Sequence, residues 1–380
     1  MKKKFLHYSL TILLILIFVK IFDLTTGFFF KRNISNQQFL NRSINLREHM
    51  PLTDKFVMPS KLMLDASKKL KKKKYRLRTD KDGYIVGNNW TNLDNLPVDI
   101  IFIGGSTTES LYVEEEYRFP FLLSKLIKKN NGSNLKVLNG GVAGNNSIHS
   151  LINIIAKGIK HNPKFIVFMH NINDLGTLSK TLSYWEGPAS RKIILSENYN
   201  KNQSIYNFFK SLKNFLIPNI WEIIPKNFQK KILLKKKDEW VEFRKKEDYF
   251  EIEKIFRKNF TSSVLSFVHI SRSWNIEPIL MTQFNRMNLD DLEIRSSYQS
   301  KIQPISFEEF VSLYDLGNQI IRDISYKENI LLIDLDKDIP PTENYIYDAA
   351  HLTKQGSELV ANIIAEKLLI EKENFFTKFD

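Results

Sequence analysis

From Pro97 onward, short apolar runs alternate with segments whose apolar residues recur at helical spacing. The apolar runs predict strands at Val98–Ile103, Lys136–Asn139, Phe165–His170, Glu277–Thr282 and Ile330–Asp334. The helical spacing predicts helices at Phe119–Lys129, Ile148–Ile159 and Gly356–Leu369. Strands that are apolar throughout are typical of a parallel sheet covered by helices on both faces. The pattern therefore predicts an α/β sandwich with a mainly parallel sheet.

One stretch interrupts this alternation. Residues 178–260 carry Lys-rich helical patterning and the aromatic pair Tyr184-Trp185 in place of a strand run. We interpret them as a helical insertion between strands of a single domain that spans residues 96–372. The aromatic pair is compatible with packing inside the insertion and with stacking on a sugar.

The N-terminus follows a different pattern. Three lysines at positions 2–4 precede a mostly apolar stretch, residues 5–30, which is broken by Lys20 and Asp23. A helix over this stretch is about 39 Å long at about 1.5 Å per residue, enough to cross a bilayer core of about 30 Å. Because no small-residue cleavage site follows, residues 1–30 predict an uncleaved signal anchor or transmembrane helix rather than a cleaved signal peptide. The lysines favour a cytoplasmic N-terminus, which places the main domain in the periplasm or at the cell surface.

Charge and composition narrow the function classes. The chain has 56 Lys and Arg against 42 Asp and Glu, a net charge of +14, but lysine is abundant along the whole chain. No aromatic and glycine pattern of an RNA- or DNA-binding module accompanies the lysines, so nucleic acid is not an expected partner. The chain has no cysteine, which excludes disulfides, thiolate metal sites and a cysteine nucleophile.

The densest positive run, residues 68–78, lies in a basic membrane-proximal region, residues 31–95. The run fits a solvated helix face or linker. It also fits a surface that contacts anionic headgroups or substrate.

Four polar clusters follow predicted strands. They are Gly104-Gly105-Ser106-Thr107, Asn139-Gly140-Gly141-Val142-Ala143-Gly144, Asn171-Ile172-Asn173-Asp174 and Asp348-Ala349-Ala350-His351-Leu352-Thr353. Each cluster alone is weak evidence, since such turns are common. Because functional groups gather at the carboxyl ends of the strands in an open parallel sheet, the four together predict one site there.

The residue types in these clusters suit acyl transfer. A serine hydroxyl is a weak nucleophile and needs an adjacent base. His351 can take the Ser106 proton, and Asp348 can hold the imidazole in the correct tautomer. The N–H groups of Ser106 and Gly144 and the side-chain amide of Asn173 can stabilise the oxyanion.

Two further polar residues near these clusters, His170 and Asp174, are interpreted as structural rather than catalytic. His170 is interpreted as a packed histidine at a strand end, although it also lies close enough to line the site. Asp174 is interpreted as a cap of the segment that follows it. The histidines show no metal-ligand spacing, so neither a metal nor another cofactor is expected.

The four clusters resemble the Ser, Gly, Asn and His blocks of the SGNH hydrolase superfamily, also called GDSL esterases and lipases. The resemblance spans residues 98–369, except for residues 178–260, and implies a three-layer α/β/α flavodoxin-like fold. It also implies that Ser106, Asp348 and His351 are catalytic, and that Gly144 and Asn173 belong to the oxyanion hole. The sequence departs from the family at Gly105, where an aspartate is frequent. The Gly-Gly-Ser-Thr-Thr form and the membrane anchor resemble SGNH proteins linked to bacterial surface polysaccharides.

The resemblance thus implies a membrane-anchored serine esterase whose substrate carries an ester, such as an O-acyl group on a cell-surface glycan or lipid. Two alternatives stay open. An O-acyltransferase would run through the same acyl-Ser106 intermediate. A non-catalytic SGNH-fold scaffold in polysaccharide assembly would not need the full set of site residues that this sequence retains.

Overall fold

The computed structural model describes residue 14 and residues 42–65, 67, 69–87, 97–131, 135–196, 248–299 and 303–370. The predicted signal anchor lies outside the described residues, apart from Leu14. None of the helices within these ranges combines the length and the apolar character needed to cross a membrane.

The secondary structure follows the predicted alternation. The strands are β1 Arg42–Ile44, β2 Asp54–Val57, β3 Tyr75–Arg78, β4 Ile100–Gly104, β5 Val137–Gly141, β6 Phe165–Met169, β7 Ile194–Ser196, β8 Glu277–Met281 and β9 Leu332–Ile333. The α-helices are α1 Lys61–Asp65, α2 Ser106–Glu109, α3 Phe119–Asn131, α4 Ser147–Asn153, α5 Ile172–Thr181, α6 Tyr249–Ser273, α7 Leu292–Gln299, α8 Phe307–Glu328, α9 Leu335–Asp338 and α10 Lys354–Ile370.

The main sheet is parallel throughout and has the strand order β5-β4-β6-β8-β9. This is the 2-1-3-4-5 order of flavodoxin-like sheets, in which the strand order reverses beside the first strand. Ligands bind outside the carboxyl ends of the strands at such a reversal. The predicted parallel α/β sheet is confirmed, and its topology directs attention to the ends of β4 and β6.

Helices cover both faces of this sheet. On one face, side chains such as Ile101 and Phe168 form a core with residues of α4, α5, α6 and α8. On the other, side chains such as Phe102 and Val167 pack against α3 and α10. Successive strand residues point to opposite faces, so a strand buried on both sides must be apolar at every position. The expected three-layer α/β/α arrangement is confirmed.

The described part of the basic region, residues 31–95, packs on this sandwich. β2 and β3 form an antiparallel hairpin, and Ile85 makes an antiparallel bridge to Asn139 in β5. The interpretation of residues 68–78 as a helix face or linker is wrong at its end, since Arg76 and Arg78 lie in β3. They pair with Asp54 and Glu115, so these charges are balanced locally.

The predicted insertion, residues 178–260, overlaps the sandwich at both ends. Residues 178–181 complete α5, and α6 begins at Tyr249 and contributes fully buried side chains such as Phe256 to the core. The start of α6 was hard to recognise in the sequence, because only one face of this helix is buried and the other carries charged residues such as Lys254 and Lys258. Residues 197–247 lie outside the described residues.

Candidate active site

Ser106 lies at the junction of β4 and α2. β4 is buried along its whole length, and the chain turns directly from Gly104 and Gly105 into the short helix that begins at Ser106. The serine side chain is partly exposed at the carboxyl edge of the sheet. A strand-to-helix turn of this kind presents a hydroxyl at the sheet edge.

The structure brings the three predicted catalytic side chains into one hydrogen-bonded chain. Ser106 Oγ lies 2.8 Å from His351 Nε2. His351 Nδ1 lies 2.8 Å from Asp348 Oδ2 and 2.9 Å from Oδ1. With the ring proton on Nδ1, the imidazole donates to Asp348 and its free Nε2 accepts the Ser106 proton. This is the geometry of a nucleophile, its base and the group that orients the base.

The loop that carries His351 is held from several sides. Asp348 Oδ1 accepts hydrogen bonds from the N–H groups of Ala350 and His351, both at 2.9 Å. The Tyr347 ring lies nearly parallel to the His351 ring, with 5.6 Å between centroids and 14° between planes. The Tyr347 carbonyl in turn accepts a 2.6 Å hydrogen bond from Ser67 Oγ. These contacts restrict the rotation of the imidazole.

The electrostatic environment makes His351 a stronger base than an ordinary histidine. Partial burial lowers the pKa of His351, but the Asp348 charge, the hydrogen bond to Asp348 and the charge of Glu109 together raise it above its usual value. Burial raises the pKa of Asp348, whereas His351 and the loop N–H groups lower it below its usual value overall. Asp348 therefore stays ionised beside a histidine that can take up a proton.

The Asn173 amide lies against Gly105 in the nucleophile turn, and Gly144 follows Ala143 in a neighbouring loop. Ala143, the residue before Gly144, lines the same small cavity as Ser106. Asn173 Nδ2 donates to the Asn145 carbonyl at 2.9 Å, which leaves the second amide hydrogen available. The N–H groups of Ser106 and Gly144 donate to no other group in the described ranges. These three groups remain the predicted donors to an oxyanion on Ser106.

Two glycines make this arrangement possible. A Cβ on Gly105 would collide with the Asn173 amide and lie 3.2 Å from the Asn145 carbonyl oxygen. Gly144 has φ = +77°, and a Cβ there would collide with the Arg191 guanidinium. The departure at position 105 therefore lets the Asn173 amide lie against the nucleophile turn.

Sequence reasoning missed Gln283, which lies two residues after the end of β8 and is 1% exposed. Its Nε2 donates to Thr107 Oγ1 at 2.8 Å, and its Oε1 accepts from the Ile172 N–H at 2.8 Å. It therefore ties the nucleophile turn to the helix start that carries Asn173. The strand-end argument used for the four clusters also applies to Gln283, which follows a predicted strand.

Two cavities meet at the reactive centre. One of about 140 Å³ is lined by Ser106 and His351 together with Leu111, Tyr112 and Val113. The other, of about 400 Å³, reaches Asn173, Asp348 and His351. Its remaining lining is largely apolar and includes Ile172, Met287, Ile294, Phe307 and Phe310. Met63, from α1, lines both cavities. The two cavities adjoin at Met63 and His351, and Ser106 lines the smaller one.

His170 and Asp174 form a separate buried cluster. His170 is 1% exposed, packs on Phe168 and has Nε2 2.7 Å from Ser150 Oγ. Asp174 Oδ1 accepts hydrogen bonds from Ser147 Oγ at 2.5 Å and Tyr184 OH at 2.7 Å. The position of His170 therefore agrees with its interpretation as a packed histidine at a strand end. The interpretation of Asp174 as a helix cap is wrong, because its side chain bonds to groups outside its own helix.

A metal centre has no counterpart among the described residues, where no group of three or more His, Asp or Glu side chains is placed to hold an ion. The hydroxyl, the imidazole and the amide donors supply the chemistry that this site offers.

Comparisons with known proteins were made for the whole chain. No protein-family model matches it, and no curated protein matches it either. Solved structures are similar at low identity. A mutant of Axe2, an acetyl-xylooligosaccharide esterase from Geobacillus, is 14% identical with a TM-score of 0.40, covering 71% of this chain and 94% of its own. LAE5, an alpha/beta hydrolase from the metagenome of Lake Arreo, is 13% identical with a TM-score of 0.40, covering 71% and 94%.

The lipase/acylhydrolase from Enterococcus faecalis is 13% identical with a TM-score of 0.38, covering 72% of this chain and 96% of its own. At identities and TM-scores this low, no property of those proteins transfers to this chain.

Proposed function

We propose that this protein is a serine esterase that works through an acyl-Ser106 intermediate. The observation that carries the proposal is the hydrogen-bonded chain from Asp348 through His351 to Ser106, with distances of 2.8 Å at both links. It ends at a serine that lines the smaller cavity, and the larger cavity adjoins at His351. A buried serine with a hydrogen-bonded histidine but no cavity would offer no place for a substrate.

The reaction follows from this geometry. Ser106 Oγ attacks the ester carbonyl carbon and passes its proton to His351 Nε2, while the carbonyl oxygen becomes an oxyanion held by Ser106 N–H, Gly144 N–H and Asn173 Nδ2. The C–O bond to the alcohol then breaks, and the alcohol leaves with the proton from His351. A water molecule attacks the acyl-enzyme by the same route, which releases the acid and restores Ser106.

We further propose that the enzyme is held in a membrane by residues 5–30, with the domain that carries Ser106 outside the cytoplasm. The substrate class that fits this placement is an O-acyl group on a surface glycan or lipid. The support is the apolar length of the N-terminal stretch and the lysines that precede it. A C-terminal alkaline phosphatase fusion should be active in whole cells; a C-terminal reporter that works only in the cytoplasm would overturn this placement.

The catalytic half of the proposal is tested with the full-length chain in mild detergent. It should hydrolyse p-nitrophenyl acetate or butyrate and be labelled by a fluorophosphonate at Ser106. Ser106→Ala should abolish both signals, because among the described hydroxyls that line the cavity Ser106 is the one hydrogen-bonded to His351. Ser262→Ala, which alters an exposed serine on α6, is the matched control and should behave as wild type. Absence of both turnover and labelling in the wild-type chain would refute the esterase function.

A further inference from the structure

The loop that carries Gly144 is held by two arginines from distant parts of the chain. Arg47 Nη2 donates to the Ala143 carbonyl at 3.0 Å, and its Nη1 lies 3.5 Å from the Gly144 carbonyl. Arg191 also donates to the Gly144 carbonyl. These carbonyls flank the Gly144 N–H, which the proposed mechanism uses as an oxyanion donor.

The contact with Ala143 has a specific geometric consequence. The Ala143 carbonyl and the Gly144 N–H belong to one peptide group, and the described backbone contains no cis peptide bonds. In a planar trans peptide the C=O and N–H bonds point in opposite directions. A guanidinium that fixes the carbonyl therefore fixes the direction of the N–H as well. A charged donor on the carbonyl also polarises the peptide and strengthens its N–H as a donor.

The backbone around Arg47 is tied to the same loop. The Arg47 carbonyl accepts hydrogen bonds from Asn145 Nδ2 at 3.1 Å and from Asn153 Nδ2 at 3.2 Å. Asn145 is fully buried, and its own carbonyl holds the Asn173 amide. Arg47 is thus connected to two of the three oxyanion donors, to Gly144 directly and to Asn173 through Asn145.

The antiparallel pair β1 and β7 delivers both arginines. Arg42–Ile44 pairs with Ile194–Ser196, and the Asn45 N–H donates to the Ile193 carbonyl at 2.7 Å. Arg47 follows β1 and Arg191 precedes β7, so both side chains reach the Gly144 loop from one two-stranded sheet. Ser67, further along the same N-terminal part of the described chain, donates to the carbonyl of Tyr347, whose ring packs on His351.

We propose that Arg47 is a positioning residue for catalysis, which orients the Ala143–Gly144 peptide so that the Gly144 N–H faces the oxyanion. The proposal rests on the esterase function above. The segment that contains Arg47, which follows residues 5–30 along the chain, then contributes to the active centre. The transition state, in which the oxygen is charged, gains more from an oriented N–H than the neutral ester does. Loss of Arg47 should therefore lower kcat and leave KM nearly unchanged.

The test compares full-length wild type with Arg47→Ala, Arg47→Lys and Arg42→Ala. Arg42 is an exposed arginine of the same segment that does not contact the Gly144 loop, which makes it the matched control. Active sites are counted by fluorophosphonate titration, and kcat and KM for p-nitrophenyl butyrate are expressed per titrated site. The inhibition constant of a trifluoromethyl ketone, whose serine adduct carries an oxyanion, is measured on each variant.

Removal of an oxyanion donor lowers kcat by about 10²- to 10³-fold, so removal of its positioning residue should lower kcat by about 10- to 100-fold. In Arg47→Ala the ketone should bind more weakly by the same factor. Arg47→Lys, which retains one charged donor, should lie between this variant and wild type. If Arg47→Ala does not fold, a kcat for Arg47→Lys equal to that of Arg42→Ala would overturn the proposal.

Two failures can be told apart. An inactive, unlabelled wild-type chain would refute the esterase function and the role of Arg47 with it. An active wild type whose Arg47→Ala variant matches Arg42→Ala in kcat per site and in ketone affinity would refute only the role of Arg47. A rise in KM with unchanged kcat would do the same, because it would place Arg47 in substrate binding.

Discussion

The described part of the chain contains two Asp–His–Ser arrangements, and only the first lines the two cavities described above. Asp348, His351 and Ser106 form the first, and Asp174, His170 and Ser150 form the second. In both, a serine oxygen lies within hydrogen-bond distance of histidine Nε2, at 2.8 Å for Ser106 and 2.7 Å for Ser150. The serine–histidine distance therefore does not distinguish them.

The two arrangements differ in the contact between histidine and aspartate and in their exposure to solvent. His351 Nδ1 is 2.8 Å from Asp348, whereas His170 Nδ1 is 3.5 Å from Asp174 Oδ2, which makes no hydrogen bond within the described residues. The side chains of Asp348 and His351 are 25% and 28% exposed, against 0% and 1% for Asp174 and His170. None of the three buried residues lines either of the two cavities.

Burial also reverses the protonation of the two pairs. It lowers the pKa of His170 to about 3 and raises that of Asp174 to about 6, although Ser147 and Tyr184 donate to this carboxyl. His170 therefore cannot hold a second proton, and Asp174 is uncharged in mildly acidic solution.

The most direct test of the difference between the two arrangements replaces each aspartate by asparagine. Asp348→Asn should lower kcat by about 10⁴-fold, because an asparagine at this position favours the wrong histidine tautomer and cannot stabilise the imidazolium. Asp174→Asn keeps the oxygen that accepts from Ser147 and Tyr184 and should leave kcat close to wild type. The measurement is kcat for p-nitrophenyl butyrate per titrated active site. Equal losses in the two variants would show that the buried cluster takes part in catalysis.

The pH dependence of the wild-type enzyme sharpens the same contrast. Catalysis requires neutral His351, so kcat/KM should rise with pH as this group loses its proton. Because the pKa of His351 is raised, the inflection should lie above the ordinary histidine value of about 6.5. Asp348→Asn removes two causes of the rise and should move the inflection downward. An inflection in wild type well below pH 6 would instead point to a desolvated base of the His170 kind.

The sandwich and four of the strand-end clusters were predictable, because both depend on short-range patterns. A buried parallel strand needs an unbroken apolar run, and Ile100–Gly104 and Phe165–Met169 lie within a residue or two of the predicted strands. Ser106, Asn173 and His351 follow elements in that series, and the sheet topology brings them together. The strand β9 is shorter than its predicted run, since only Leu332–Ile333 pairs with β8.

Arg47 and Arg191 were not predictable, because their contacts depend on a pairing between strands that are about 150 residues apart. Neither arginine stands beside a glycine-rich turn, and the short apolar run after Arg191, Ile193–Leu195, does not indicate which loop the arginine contacts. The resemblance of Asp174, His170 and Ser150 to a catalytic arrangement was hidden for a related reason. Ser150 lies inside α4, and only the packing of this helix on the sheet brings it to the histidine.

The smallest expected effect concerns stability, and its sign separates the two aspartates. A carboxyl whose folded pKa is raised from 3.8 to about 6 contributes stability that is present below pH 3.8 and lost as pH rises through 6. Asp174→Asn should therefore gain stability relative to wild type between pH 4 and 7, by on the order of 2 kcal/mol. Asp348, whose pKa is lowered, contributes stability above its unfolded pKa of 3.8 that is lost as pH falls below it, so Asp348→Asn should be less stable than wild type above pH 3.8 and the difference should shrink at lower pH. Urea unfolding of the three proteins at several pH values measures both differences. A flat difference for Asp174→Asn would mean that Asp174 is ionised throughout, with its charge held by Ser147 and Tyr184.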